Sequence, residues 1–233
     1  RGVAEFFQPL LVGRFGRPLY DIFFGPYTEK LWGRPPRELS ADWASQRISL
    51  LNLGDVALRL LGLRRSDTRT YARRYLYPRR GIGQLFDRIA VAVAASHQGE
   101  VRLGAEVLGF EAGRAGVETV VYRHHGREVR QPASAVICTA PLADAAHWLG
   151  AGAEVGRAAA RLRYRAVRFL NLLLDRPDVG SDTWLYVADP STPIARIQEP
   201  RRRSPEMAPA GRTSLMLEVP CDVGDAVWRA SDA

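Results

Sequence analysis

The chain has 233 residues, 46% of them hydrophobic, and carries 33 Lys and Arg against 25 Asp and Glu, a net charge of +8. That apolar content can build one large domain or two small ones, while the longest apolar run, Ile89 to Ala95, is far too short to span a bilayer. Lys30 is the sole lysine, so arginine carries nearly all the positive charge. The clusters Arg64-Arg65, Arg73-Arg74, Arg79-Arg80 and Arg201-Arg202-Arg203 have no interleaved aromatic platforms, which argues against nucleic acid as a partner.

The chain opens on Arg1 without the basic, apolar and small-residue series of a signal peptide, and Met207 and Met216 are its methionines. Asp225 to Ala230 reads as a helix with no stop signal, so a fragment is expected. Leu19, Ile22 and Phe23 recur at helical spacing and predict one apolar face. Pro26 is expected to end that helix, since it lacks an amide and its ring crowds the preceding turn. Ser40 reads as an N-cap with Asp42 in the first turn, where the helix dipole favours an anion. A further apolar helix is expected from Leu50 to Leu61. Another runs from Gly81 to Ala95, with Leu85, Ile89 and Val93 aligned and Gly99 as its stop.

From Glu100 the period changes to that of strands. Val101–Leu103, Glu106–Phe110, Val117–Arg123 and Arg127–Gln131 are expected as short strands, with His125-Gly126 turning between the last two. Ala135–Thr139, containing Cys138, reads as a fully apolar strand, and Pro141 opens a short helix. Val167–Leu174, Trp184–Val187, Ile194–Gln198 and Ser214–Val219 are the later strands. Cys221 follows a proline in a loop, and Arg201 to Gly211 forms an exposed loop. Two cysteines so placed point to reduced thiols in a cytoplasmic protein. The fold class is α+β, helices first and then mixed strands.

Residue by residue, little stands out as catalytic. Gly81-Ile82-Gly83 fails as a dinucleotide fingerprint, because Phe86 takes the third glycine position and Tyr75-Leu76-Tyr77-Pro78 makes a poor parallel strand. His124-His125 at a hairpin tip has no third ligand nearby, which argues against a metal site. Asp87, Asp144 and Asp175 read as ordinary helix and strand-end carboxylates, and Glu29 and Lys30 as surface or supporting polar contacts. Trp32 reads either as a core tryptophan or as a flat platform for a nucleotide base. Arg47 and Arg196 are solvated arginines or grips for a phosphate or developing charge, at about 1.5–3 kcal/mol per charged hydrogen bond. A chain without a nucleophile and base pair suits cofactor chemistry, in which protein groups mainly position the reactants.

Five segments carry a resemblance. They are Tyr20-Asp21-Ile22-Phe23-Phe24-Gly25-Pro26-Tyr27-Thr28-Glu29-Lys30-Leu31-Trp32-Gly33 with its continuation to Ile48, Tyr77 to Leu85, Glu100 to Val107, Val136 to Pro141, and Ile194 to Pro200. Together, and in this order, they resemble the FAD-dependent amine oxidase and protoporphyrinogen oxidase superfamily, in its UDP-galactopyranose mutase-like branch. The resemblance implies an incomplete two-domain flavoprotein with a Rossmann-type FAD domain and a substrate domain of helices and strands. Residues 1–99 would be the helical substrate-domain part, 100–150 the segment returning to the FAD-binding domain, and 151–233 a strand-rich substrate-domain part. FAD is the implied cofactor, with Val107, Thr139 and Pro141 near it. Tyr27 and Trp32 would bind a small-molecule substrate such as a sugar nucleotide, and Arg196 and Arg47 would face flavin and substrate.

The implied activity is hydride transfer from substrate to flavin. The alternatives are a flavin-dependent sugar-nucleotide mutase and an inactive flavoprotein-derived binding domain. The helical stretch from Ser49 to Tyr75 departs from true mutases, which favours the broader oxidoreductase class. The chain lacks the glycine turn and helix N-terminus that neutralise a diphosphate, so alone it is expected to bind FAD poorly and to be inactive.

Overall fold

The computed structural model describes residues 6–42, 75–113 and 116–231. The chain divides into two compact units, residues 1–85 with 165–233, and residues 86–164. Arg47, Leu50–Leu61 and most of Ser49–Tyr75 lie outside the described residues. The elements are α+β, as the sequence pattern predicts.

In the first unit, α1 (Phe7–Phe15) ends at Gly16, whose N–H returns to the Val12 carbonyl. A short α2 (Arg17–Leu19) then runs through a π-helical turn, Tyr20–Phe24, into α3 (Gly25–Trp32). Pro26 therefore does not end the helix. The Gly25 N–H reaches back five residues to the Tyr20 carbonyl. This wider turn relieves the crowding a proline ring causes, and Pro26 falls in the first turn of α3, where a missing amide costs nothing. Gly25 lets the turn pack closely, since a Cβ there would lie 3.1 Å from the Tyr20 ring and 3.2 Å from its carbonyl oxygen.

The π turn also rotates the side chains. Phe7, Leu11 and Tyr20 form the core of this region, with Phe15, Phe24 and Leu39 packed against it. Ile22 is 75% exposed and Leu19 45%, so the expected Leu19/Ile22/Phe23 face is not the buried one. The extra residue in the turn shifts the helical register by about 100° and brings Tyr20 inward.

Gly33 closes α3 in the left-handed conformation, φ +64, with its N–H on the Glu29 carbonyl at 2.7 Å. A Cβ at this position would sit 2.6 Å from the Arg165 guanidinium carbon. That guanidinium is held by Asp222 at 2.8 Å and by the carbonyls of Leu31 and Lys30 at 3.3 and 3.4 Å. Gly33→Ala should cost about 1–2 kcal/mol for the left-handed backbone, and more for the displaced guanidinium. A melting temperature of the intact protein unchanged by this substitution would refute the assignment. Beyond Gly33, the Ser40 hydroxyl accepts the Asp42 N–H at 3.2 Å, so the expected N-cap is present.

The sheet of this unit has the order β4-β7-β6-β5, all antiparallel, from β4 (Arg165–Leu174), β5 (Trp184–Tyr186), β6 (Arg196–Gln198) and β7 (Thr213–Asp222). Directly opposed residues share a face. One row reads Leu185, Ile197, Leu217, Leu170, and the adjacent row on the other face reads Tyr186, Arg196, Glu218, Phe169. Cys221 lies in β7 opposite Ala166 and is 1% exposed, not in a loop, because β4 keeps pairing through Asp222. A last turn, Ala226–Arg229, is capped by Asp225, whose carboxylate accepts the Trp228 N–H at 2.7 Å.

The loop from Arg201 to Gly211 is built by the arginines that looked like a basic patch. Arg201 donates to the carbonyls of Pro209 and Arg212 at 3.0 and 2.5 Å. Arg202 donates to the Gly180 carbonyl and lies 3.5 Å from Glu199, and Arg203 donates to Gln198 at 2.7 Å.

In the second unit, α4 (Gly83–Ser96) begins at the boundary and ends where His97 takes φ 56, two residues before the expected stop. A three-stranded meander follows, β1 (Glu106–Gly113), β2 (Gly116–His124) and β3 (Arg127–Pro132). His125 and Gly126 turn the β2–β3 hairpin with φ 49 and 75, the pair of left-handed residues a two-residue hairpin favours. Then come α5 (Leu142–Trp148), with Pro141 at its N-cap, and α6 (Ala153–Ala159).

Two expected strands are absent from the described ladders. Val101–Leu103 is a turn approach, with Gly104 at φ +68. Ala135–Thr139 has no strand partner, and Ser134 to Ala140 make no backbone hydrogen bond among the described residues. An apolar strand of this kind is a central strand with neighbours on both edges. Here Ile137 is 93% exposed and Cys138 is exposed as well. No helix among the described residues is long and apolar enough to cross a membrane.

Candidate functional site

Alternation along the strands places Trp184 and Tyr186 of β5, Arg196 and Gln198 of β6, and Glu218 of β7 on one face of the four-stranded sheet. Helix α3 adds Tyr27 to this group. Its ring stacks on Phe23 at 5.6 Å and meets Tyr186 edge-on at 5.3 Å. Trp184 and Tyr186 contact each other at 6.1 Å and are each about half exposed, so the aromatic surface is open on one side.

Glu218 anchors the polar part. It is 4% exposed, and one carboxylate oxygen accepts from Arg196 Nε at 2.8 Å and Nη2 at 2.5 Å. The other oxygen accepts from Gln198 Nε2, and Gln198 Oε1 in turn accepts from Arg203 at 2.7 Å. The Arg203 guanidinium lies 5.1 Å from the Trp184 ring and 5.8 Å from the Tyr77 ring, within cation–π range of both. Arg196 itself lies 5.9 Å from the Trp184 ring. Its Nη1 has no hydrogen-bond partner among the described residues, so one donor edge remains for an incoming oxygen.

Burial works against the Arg196 charge, but the Glu218 hydrogen bond and charge outweigh it and raise the pKa further. Burial also pushes the Tyr27 phenol up, with the nearby Arg196 charge pulling the other way. At neutral pH the face therefore offers a permanent cation and a protonated phenol beside aromatic rings. That combination can hold a flat ring system or an anion, and it can stabilise negative charge that develops on one.

The other expected site residues lie elsewhere. Trp32 is partly buried at the last position of α3, five residues from Tyr27 on the same helix, or about 140° around the axis. The two aromatics therefore do not share a face. Val107, on β1 opposite Tyr122, lines a shallow cleft of about 410 Å³ with Glu100, Arg102 and Gln131 in the second unit. Thr139 belongs to the unpaired segment leading into α5, and Pro141 is the N-cap of that helix, its carbonyl accepting the Ala145 N–H at 3.1 Å. The His124 and His125 rings lie 4.1 Å apart with their planes tilted by 48° at the hairpin tip, and the described residues contain no group of three or more His, Cys, Asp or Glu placed to hold a metal.

Sequence reasoning missed Trp184, Tyr186, Gln198, Arg203 and Glu218. The signal was present: Trp-Leu-Tyr and Arg-Ile-Gln alternate with period two, and Glu218 puts a carboxylate into an otherwise apolar strand. A cleft of about 910 Å³ opens on another flank of α3, but its ionisable lining is partly committed, Asp21 to Arg17 at 2.8 Å and Arg165 to Asp222.

With the geometry in place, the likeness to known proteins is informative. The family described as flavin containing amine oxidoreductase matches residues 4–232. Among solved structures, a reduced UDP-galactopyranose mutase superposes with a TM-score of 0.75 at 19% identity, over 99% of this chain and 48% of its own. A protein from Exiguobacterium sp. 255-15 assigned as a protoporphyrinogen oxidase gives 0.65 at 15% identity, over 97% and 48%. An oxidoreductase from Methanosarcina mazei gives 0.61 at 16% identity, over 94% and 48%. The chain thus spans about half the length of these structures. No curated protein gives a match.

Proposed function

We propose that this chain, which belongs to the flavin-containing amine oxidoreductase family, forms the substrate-facing part of an FAD-dependent oxidoreductase. The observation that carries this reading is the open face of Tyr27, Trp184, Tyr186 and Arg196, with one guanidinium edge unspent. Residues 1–99 and 151–233 would serve the substrate side, and 100–150 would return to the FAD-binding part. The residues fit a flavin in part. The Arg196 edge suits a carbonyl oxygen of a planar ring or an anionic substrate group, and the free peptide groups of Ser134 to Ala140, including Thr139, suit pairing with further chain. Groups to cradle the diphosphate are not among the described residues.

Bound FAD would supply the acceptor for a hydride leaving a substrate carbon. The chain's own part is positioning. Trp184 and Tyr186 offer flat apolar area, and Tyr27 keeps its phenolic proton at neutral pH, so it can donate to a substrate oxygen. Arg196, fixed by Glu218, stabilises negative charge on its open side. Arg47 and Trp32 stay in the reading as further substrate contacts.

A second reading is a sugar-nucleotide mutase. The same face favours it, since flat rings beside a guanidinium suit a base and a phosphate. One experiment separates the readings. The intact protein should purify yellow, with flavin absorbance that survives gel filtration. A colourless protein that FAD cannot reconstitute would instead support an inactive binding domain. In a yellow protein, quenching of tryptophan fluorescence by UDP but not by amines would favour the mutase.

A further inference from the structure

Lys30, which the sequence offers as a surface or a supporting polar contact, turns its ammonium group onto the loop between β5 and β6. Nζ donates to the carbonyl oxygens of Val187, Asp189 and Ile194 at 2.9, 2.6 and 3.0 Å, which uses all three of its protons. These acceptors lie at both ends and in the middle of the connection that joins Tyr186 to Arg196. Lys30 is one helical turn from Tyr27 on α3, and Tyr27 packs against Tyr186. One ammonium group therefore ties the helix that carries Tyr27 to the hairpin that carries Tyr186 and Arg196.

Inside the loop the remaining bonds are short-range. The Ser191 N–H donates to Asp189 at 2.8 Å and the Ile194 N–H to Thr192 at 3.3 Å. The loop holds Pro190 and Pro193, which have no amide to donate. Local bonding shapes the loop, and the bonds from Lys30 fix it to α3. The bonds from the Val187 N–H to the Ala195 carbonyl and from the Ala195 N–H to the Glu218 carbonyl, at 2.9 and 2.8 Å, continue the ladder directly into the Arg196–Glu218 pair.

We infer that Lys30 is a positioning residue: it clamps the β5–β6 loop and thereby sets Arg196 and Tyr186 relative to Tyr27. The role in positioning rests on the reading of this face as the flavin and substrate side; the clamp itself does not. Neither an uncharged residue nor one with fewer donors can satisfy three carbonyls converging on a single point, whereas arginine can satisfy them in part.

The test uses the intact flavoprotein with Lys30→Met, Lys30→Gln and Lys30→Arg, read by amide hydrogen exchange and by the midpoint potential of the bound flavin. In Lys30→Met, exchange at Val187 and Ala195 should rise at least tenfold while Leu11 in the α1 core is unchanged. The flavin reduction equilibrium should shift severalfold, and Lys30→Arg should recover most of both changes. If Lys30→Met does not fold, Lys30→Gln, which keeps part of the donor capacity, should show the same changes at smaller size. Unchanged exchange at Val187 and Ala195 would overturn the clamp. Faster exchange with an unmoved potential would overturn the positioning role. A wild-type protein that holds no flavin would overturn the functional reading, and exchange would still decide whether the clamp exists.

Discussion

Arg196→Ala in the intact protein should lower stability by about 3–5 kcal/mol as well as abolish activity, because it leaves the buried Glu218 carboxylate without its cation. A site arginine read from the sequence alone would lose activity much more than folding stability. The geometry assigns it both roles. Arg196→Met with Glu218→Gln removes the charge from both partners, and should recover most of the stability while flavin reduction by substrate stays lost. Denaturant midpoints for Arg196→Met, Glu218→Gln and the double variant give the coupling directly. A double variant as unstable as Arg196→Ala would mean that the pair does not act as a unit. A double variant with normal activity would remove Arg196 from the site.

The spacing of apolar residues located most of the strands, because alternation and a two-residue turn are local properties. The hairpin at His125-Gly126 needs two left-handed residues, and a glycine after a histidine at that point is a local signal for it. The strands β4 to β7 were legible for the same reason. Their order was not, because β4 pairs with β7 across almost forty residues of intervening chain and nothing local encodes that choice. Pro26 misled because the rule for proline assumes an α-helical turn before it, and a π turn removes the clash. Ala135–Thr139 misled differently. Its composition is that of a central strand, but the neighbours that would make it one are not among the described residues.

The candidate site was half legible. Tyr27 and Arg196 were named from the sequence, and the structure brings them to one face. Glu218 lies twenty-two residues beyond Arg196 in the chain, and only the β6–β7 register makes them opposite neighbours. For Lys30 the sequence offered a supporting polar contact but not its partners, since its acceptors are carbonyl groups, which every residue has.

Next to Gln198, at the edge of the site, Glu199 should make the protein acid-sensitive. Its carboxylate is 3% exposed and accepts the Thr213 hydroxyl at 2.7 Å and the N–H groups of Val179 and Gly180 at 3.2 and 3.4 Å, with Arg202 at 3.5 Å. It joins the segment before β5, the arginine-built loop and the start of β7. Burial alone would raise its pKa, but the bonds from Thr213 and the two amides, with the Arg202 charge, outweigh burial and hold it below the ordinary carboxylate value. A folded-state pKa below the unfolded value means that the group stabilises the fold above about pH 4.3, the unfolded reference. That contribution is lost as pH falls through the folded value.

Glu199→Gln keeps the shape but sets an amide NH₂ against donors, and should cost about 1–3 kcal/mol at pH 7. The gap between wild type and variant should narrow on acidification below pH 4.3, because at position 199 only the wild type has a proton to gain. Urea midpoints at pH 7 and pH 3.5 measure both arms. A gap that stays constant between the two would mean that Glu199 is not held as a carboxylate by these donors, and that the segments it joins before β5 and at the start of β7 are organised by packing alone.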